Sequence, residues 1–194
     1  MEISKEDLKN AICNNDREFL ENGLKKYSIN CRLEDEDNDT LLMYSLSDGD
    51  SDAYQFFIKK QADVTLTNDE GENVIHSIVY SRDAERLSHF LNASNIDHQS
   101  NDGTTPLLLA IGTGDDQMSL KLIEKGADVN IGDHEGNTPL HLSSYFGQLD
   151  VVKALMAKGA NVNVKTKKGN KPLALAVNEE HNDVVRFLFR EMYH

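Results

Sequence analysis

The side chains in this chain that could ligate a metal, move a proton or attack a carbon fall into few groups. Asp35-x-Asp37-x-Asp39 and Asp48-x-Asp50-x-Asp52 place carboxylates at alternate positions, within and beyond a wider acidic run from Glu34 to Asp39. Alternating carboxylates suit a hard cation such as calcium. The helix–loop–helix calcium site also needs glycine at its sixth position for the turn and glutamate at its twelfth as a bidentate ligand. Thr40 and Leu46 stand there in the first stretch, Ala53 and Lys59 in the second. Both stretches miss the rule, so no metal is expected. Cys13 and Cys31 are too few for a disulfide framework and lack metal-ligand spacing. Cys13 is expected near a helix end as a small packing residue rather than a nucleophile. No serine or cysteine sits in a nucleophile-elbow context, and the glycines do not cluster into a phosphate-cradling loop. These patterns point to no enzyme and to no cofactor.

Bulk composition narrows the class further. The 194 residues are 39% hydrophobic and 27% charged, which suits a folded, soluble chain rather than a disordered one. Twenty basic against 33 acidic residues leave a formal charge of −13. Phosphate affinity depends on basic clusters, so nucleic acid is not the expected ligand. A partner protein with a basic surface fits better, because complementary fields speed encounter and reject wrong partners. Plain solubility is the alternative use of the same charge. The opening Met1-Glu2-Ile3-Ser4-Lys5-Glu6-Asp7 carries no long apolar run, and no stretch approaches the ~20 apolar residues of a membrane span. A reducing cytoplasmic setting without membrane contact is expected.

What must position the side chains is a repeat. Thr105-Pro106-Leu107 returns as Thr138-Pro139-Leu140 after 33 residues, and Pro172-Leu173 follows at the same step. Lys125-Gly126-Ala127 returns as Lys158-Gly159-Ala160, and Asn130 as Asn163. Earlier copies are degraded: Asn73-Val74-Ile75-His76 and Thr40-Leu41-Leu42-Met43 keep the register, and Leu8, Phe19 and Leu20 extend it to the start. A period of this length marks stacked supersecondary units. The expected organisation is one repeat domain over 1–194, with an N-terminal helix pair at 1–32 and copies at about 35–67, 68–99, 100–132, 133–165 and 166–194.

Each copy divides into two helices. In the clearest one Thr138 caps the first helix and Pro139 occupies its first turn, where a missing N–H costs little. Gly147 breaks that helix. Val151, Val152, Leu155 and Met156 then recur at helical spacing, and Gly159 ends the second helix as a left-handed cap. One such pair cannot bury its own apolar face, so neighbouring copies must stack on it.

These residues resemble the ankyrin repeat, whose pattern runs Asp-x-x-Gly-x-Thr-Pro-Leu-His-Leu-Ala-Ala and closes on Gly-Ala-Asp-Val-Asn. Asp133, Gly136, Thr138, Pro139, Leu140, His141 and Leu142 supply the first part, and Gly126-Ala127-Asp128-Val129-Asn130 the second at every position. Val74 and Leu41 replace the proline and Leu108 the histidine, which weakens those copies locally. The resemblance implies an all-α solenoid of helix–turn–helix units with projecting loops. It also implies that His141 and His76 are buried hydrogen-bonding residues tying neighbouring loops, and that Val184, Val185, Phe187, Leu188 and Phe189 mostly pack inward.

The resemblance further implies that loop tips and the ends of first helices stay free for a partner. The tips carry Glu36, Asp37, Asp39, Asp69, Glu70, Asp102, His134 and Glu135; the helix ends carry Asp48, Tyr80, Tyr145 and Phe146. Residues 31–80 hold twelve acidic against three basic side chains, a local balance of −9, whereas Lys165, Lys167, Lys168 and Lys171 make the last loop basic. Exposed aromatics in a concave surface are frequent energetic anchors. The expected function is therefore non-covalent binding of a basic protein by a chain that is monomeric when free. An intracellular inhibitor or immunity-type protein is the sharper form. An adaptor or chaperone for a basic assembly component, or a host-directed effector, are the alternatives.

Overall fold

The structure, a computed structural model, describes residues 3–34, 37–47, 52–91 and 96–193. All regular structure among the described residues is helical apart from one isolated antiparallel bridge between Arg32 and Thr40, so the fold is all-α. The chain forms two compact units, residues 1–91 and 92–194.

The first unit contains α1 (Lys5–Cys13), α2 (Arg17–Gly23), α3 (Leu41–Ser47), α4 (Tyr54–Lys59), α5 (Val74–Ser81) and α6 (Leu87–Phe90), the last entered through a 3-10 turn at Ala84–Arg86. The second contains α7 (Pro106–Gly112), α8 (Asp116–Glu124), α9 (Pro139–Tyr145), α10 (Leu149–Ala157), α11 (Pro172–Asn178) and α12 (Asn182–Tyr193). Within each unit the first helices of successive pairs pack side by side, α1 on α3 on α5 and α7 on α9 on α11. Second helices α8, α10 and α12 form a parallel row in the second unit. This is the ankyrin arrangement that the motifs imply.

Local chemistry starts the first helices. Pro106, Pro139 and Pro172 each sit in a first turn, and the Thr105 hydroxyl accepts the Leu108 N–H at 3.2 Å. Where Val74 and Leu41 replace proline, side-chain caps carry the start alone. Asn73 Oδ1 accepts the N–H groups of Ile75 and His76, and the Thr40 hydroxyl accepts that of Met43 at 3.2 Å.

Stacking supplies the core. Leu140, Val151, Val152 and Leu155 are fully buried, as the apolar spacing predicts. Gly147 has a left-handed φ of 71°, and a Cβ there would collide with the His181 ring. Copies are also stitched by a recurring side-chain bond. Asn30, Asp97 and Asn130 each accept a backbone N–H from the following copy, at Asp63, Asp128 and Asn161, over 2.8, 2.8 and 2.9 Å.

Two placements depart from expectation, and a buried arginine joins them. Cys13 is exposed at the end of α1 rather than packed, its Sγ 3.7 Å from the Tyr44 hydroxyl. In α12, Val184 and Leu188 are buried, but Phe189 turns outward with Tyr193, their ring centroids 4.7 Å apart. Arg86 is buried at a position that the register gives to Met118, Val151 and Val184. The reason is a set of partners that an apolar residue would not use: the Asp83 carboxylate at 2.9 Å, the Leu46 carbonyl at 3.1 Å and the Tyr54 ring at 5.0 Å.

Candidate functional site

The projecting loops repeat one backbone bond. Asp69 N–H donates to the Asp37 carbonyl, His134 N–H to the Asp102 carbonyl and Lys167 N–H to the Glu135 carbonyl, at 2.9, 3.0 and 2.9 Å. Each tip is thereby held at a fixed spacing from the next within its unit. The buried His141 ring supports this from below. Thr138 N–H donates to its Nδ1 at 3.2 Å, which leaves the proton on Nε2 to reach the Asn170 carbonyl at 3.0 Å. Burial pushes its pKa below the ordinary imidazole value. His76 is likewise buried, with Nδ1 2.9 Å from Asn73 Oδ1. Neither histidine reaches the surface, so neither is a catalytic candidate.

In the first unit the tips gather carboxylates. Asp37, Asp69 and Glu70 are exposed, and Asn38 donates to Asp69 at 3.2 Å. Asp39 behaves differently: it is half-buried and accepts from the buried Asn68 side chain at 3.0 Å, so it helps build the loop. Asn68 Oδ1 accepts the Glu72 N–H at 2.9 Å, and the Glu72 carboxylate in turn accepts the Tyr80 hydroxyl at 2.7 Å. Tyr80 is 50% exposed beside this acidic cluster. Glu36 and Asp48 lie outside the described residues.

In the second unit Asp102 is exposed, yet its carboxylate accepts the Ser100 hydroxyl at 2.7 Å and the Thr104 N–H at 2.9 Å. The Ser100 bond, reinforced by Thr104, holds its pKa below the usual carboxylate range. His134 is exposed, with its ring against Gly103. Tyr145 and Phe146, 41% and 46% exposed, form an edge-to-face pair with centroids 5.1 Å apart and planes at 81°. His181 donates from Nε2 to the Tyr145 carbonyl at 2.9 Å, which fixes the helix end that carries both rings.

Beside Tyr145 lies a pocket of about 280 Å³ lined by Glu135, Asn137, Leu142, Tyr145, Thr166, Lys168, Asn170 and Leu175. Of these, the sequence selects Glu135 and Tyr145 as partner-binding candidates and places Asn137, Lys168 and Asn170 at loop tips. Leu142 and Leu175 occupy one register position, which the repeat pattern marks as packing; both stay half-buried at the pocket. Their shared spacing to the loop tips is the signal that could have found them. Among the described residues no group of three or more His, Cys, Asp or Glu is arranged to hold a metal. No described helix is long and apolar enough to cross a membrane. What the surface offers is shape, aromatic area and charge.

Comparison with known proteins agrees with this arrangement. A family profile described as ankyrin repeats (3 copies) matches residues 75–166 and 132–193. The chain is also 30% identical over 102 residues to the phosphocholine transferase AnkX of Legionella pneumophila. That match covers 50% of this chain and 11% of the AnkX chain.

Proposed function

Because the chain belongs to the ankyrin-repeat family, we propose that it is a non-catalytic protein-binding module that covers a basic partner in the cytoplasm. An intracellular inhibitor or immunity-type role is the form we favour. The observation that carries the reading is the exposed Tyr145–Phe146 pair at the edge of a formed pocket. Aromatic side chains bring large contact area for little conformational entropy and are enriched among residues that dominate binding energy. Exposed Asp37, Asp69 and Asp102 support the charge of the partner, since like-signed tips attract and orient an oppositely charged surface. The relation to AnkX covers too little of that protein to bring its chemistry here.

Affinity purification of the full chain at low and high salt, with mass spectrometry of what is retained, tests the reading. A basic protein should be retained at low salt, and Tyr145→Ala combined with Phe146→Ala should reduce its retention about tenfold or more. Asp37→Lys, Asp69→Lys and Asp102→Lys together should slow association and flatten its salt dependence. Retention indifferent to both variants rejects this surface as the binding face.

A further inference from the structure

We propose that the pocket beside Tyr145 takes one bulky apolar side chain from a partner segment with carboxylates on either side of it. This rests on the reading of the chain as a protein-binding module and adds what its basic end selects. Size is the first constraint. At about 280 Å³ the pocket lies at the lower edge of the ~300–1,000 Å³ typical of small-molecule and cofactor sites. One inserted side chain fits such a space.

The walls decide polarity. Leu142, Leu175 and the Tyr145 ring offer apolar surface, and Phe146 packs against Tyr145 edge-on. The loop wall is already ordered: Asn170 donates its N–H to the Thr166 hydroxyl at 3.2 Å and its carbonyl accepts from His141 at 3.0 Å. A preformed wall lowers the ordering cost of binding.

Charge then selects the flanking residues. Lys168 lines the pocket and has no ion-pair or hydrogen-bond partner among the described residues; Lys165 and the Lys167 ammonium on the same loop are equally unengaged. Residues 165–171 contain four lysines and no acid, and Glu135 is the single carboxylate among the lining residues. A segment flanked by lysines would meet the like charge of Lys168 here; one flanked by carboxylates would meet its unpaired ammonium group. The acidic tips of residues 31–80 thus favour one kind of surface, and this pocket the opposite kind.

The test titrates three synthetic peptides into the full-length ¹⁵N-labelled chain, following the amides of Tyr145, Lys168 and Asn170. One carries a phenylalanine between pairs of glutamates, the second replaces the phenylalanine by alanine, and the third replaces the glutamates by lysines. The first should bind about tenfold more tightly than either control. Lys168→Glu, on an exposed loop, should reverse the preference between glutamate and lysine flanks while the remaining spectrum keeps its dispersion. Tyr145→Ala should weaken the phenylalanine peptide selectively, and Lys168→Glu decides the matter if that variant does not fold. Equal or tighter binding of the lysine peptide overturns the charge assignment while leaving a protein-binding groove. Equal binding of the alanine peptide overturns insertion into the pocket. Failure of all three peptides to move these amides overturns the site itself. Partner retention that survives loss of both aromatics counts instead against the broader function.

Discussion

At the scale of single residues, His141 has the most directly testable role. Its ring is fully buried, accepts the Thr138 N–H and donates to the Asn170 carbonyl. Protonating Nδ1 would destroy the acceptor that Thr138 needs. Burial lowers the folded-state pKa below the ordinary 6.5, so in acid the unfolded chain takes up the proton before the folded chain does. The stability that neutral His141 contributes is therefore complete above that value and is lost as pH falls through and below it. The midpoint of thermal unfolding should drop as pH falls below about 6.5, and His141→Leu should flatten that part of the slope. Parallel slopes in both proteins would remove His141 as the cause. Asn130 and Asn163 form a second contrast. Asn130 Oδ1 holds the Asn161 N–H of the next copy, whereas Asn163 Oδ1 accepts from the Lys171 ammonium at 3.1 Å. Asn130→Ala should cost about 1–2 kcal/mol in urea unfolding and Asn163→Ala about 0.5 or less.

Elements differ in how their ends are secured. Gln148, at the start of α10, donates to the Ile111 carbonyl of α7 at 3.2 Å, and His181 treats the Tyr145 carbonyl of α9 in the same way. Arg86 is the first unit's version, reaching the Leu46 carbonyl of α3. Each of these three side chains thus ties its copy to a carbonyl near the end of the first helix in the preceding copy. The Arg86 solution carries a charge into the core, and Asp83 compensates it. Asp83→Asn keeps the cap to Glu85 N–H but removes the charge. It should cost about 1–2 kcal/mol, less than the ~3–5 of a fully buried pair because the Asp83 side chain stays 40% exposed. Arg86→Met, which restores the apolar residue of the other copies, should cost about 1 kcal/mol or less. Equal losses on chemical unfolding would mean that the guanidinium contributes through packing alone.

Across the whole molecule the copies are unequal. In the first unit α4 spans six residues and α6 four; in the second, α8 and α10 each span nine. Repeat stacks gain stability from each copy and its neighbours, so the short helices mark the weaker copies. Amide hydrogen exchange should be slowest in α7–α10 and fastest in α4 and α6. Uniform protection in all of these helices would refute that ranking. The local balance of −9 over residues 31–80 adds self-repulsion there, so added salt should stabilise the first unit more than the second.

Much of this was legible in the chain alone. The 33-residue period, the Thr-Pro and glycine punctuation and the buried face of α10 are local signals, because caps and helical spacing act over a few bonds, whereas the inward role of His141 came from the resemblance to the ankyrin repeat. The acid-rich middle and lysine-rich end are equally plain without coordinates. Tertiary structure alone decided which of the spare residues are spare: that Asp39 is tied to Asn68, that Cys13 faces outward, that an arginine can replace an apolar residue at 86, and that Leu142, Leu175 and Lys168 border one pocket with Tyr145. The reason is distance along the chain. A side chain's freedom depends on groups about one repeat away, and those meet it only when the copies stack.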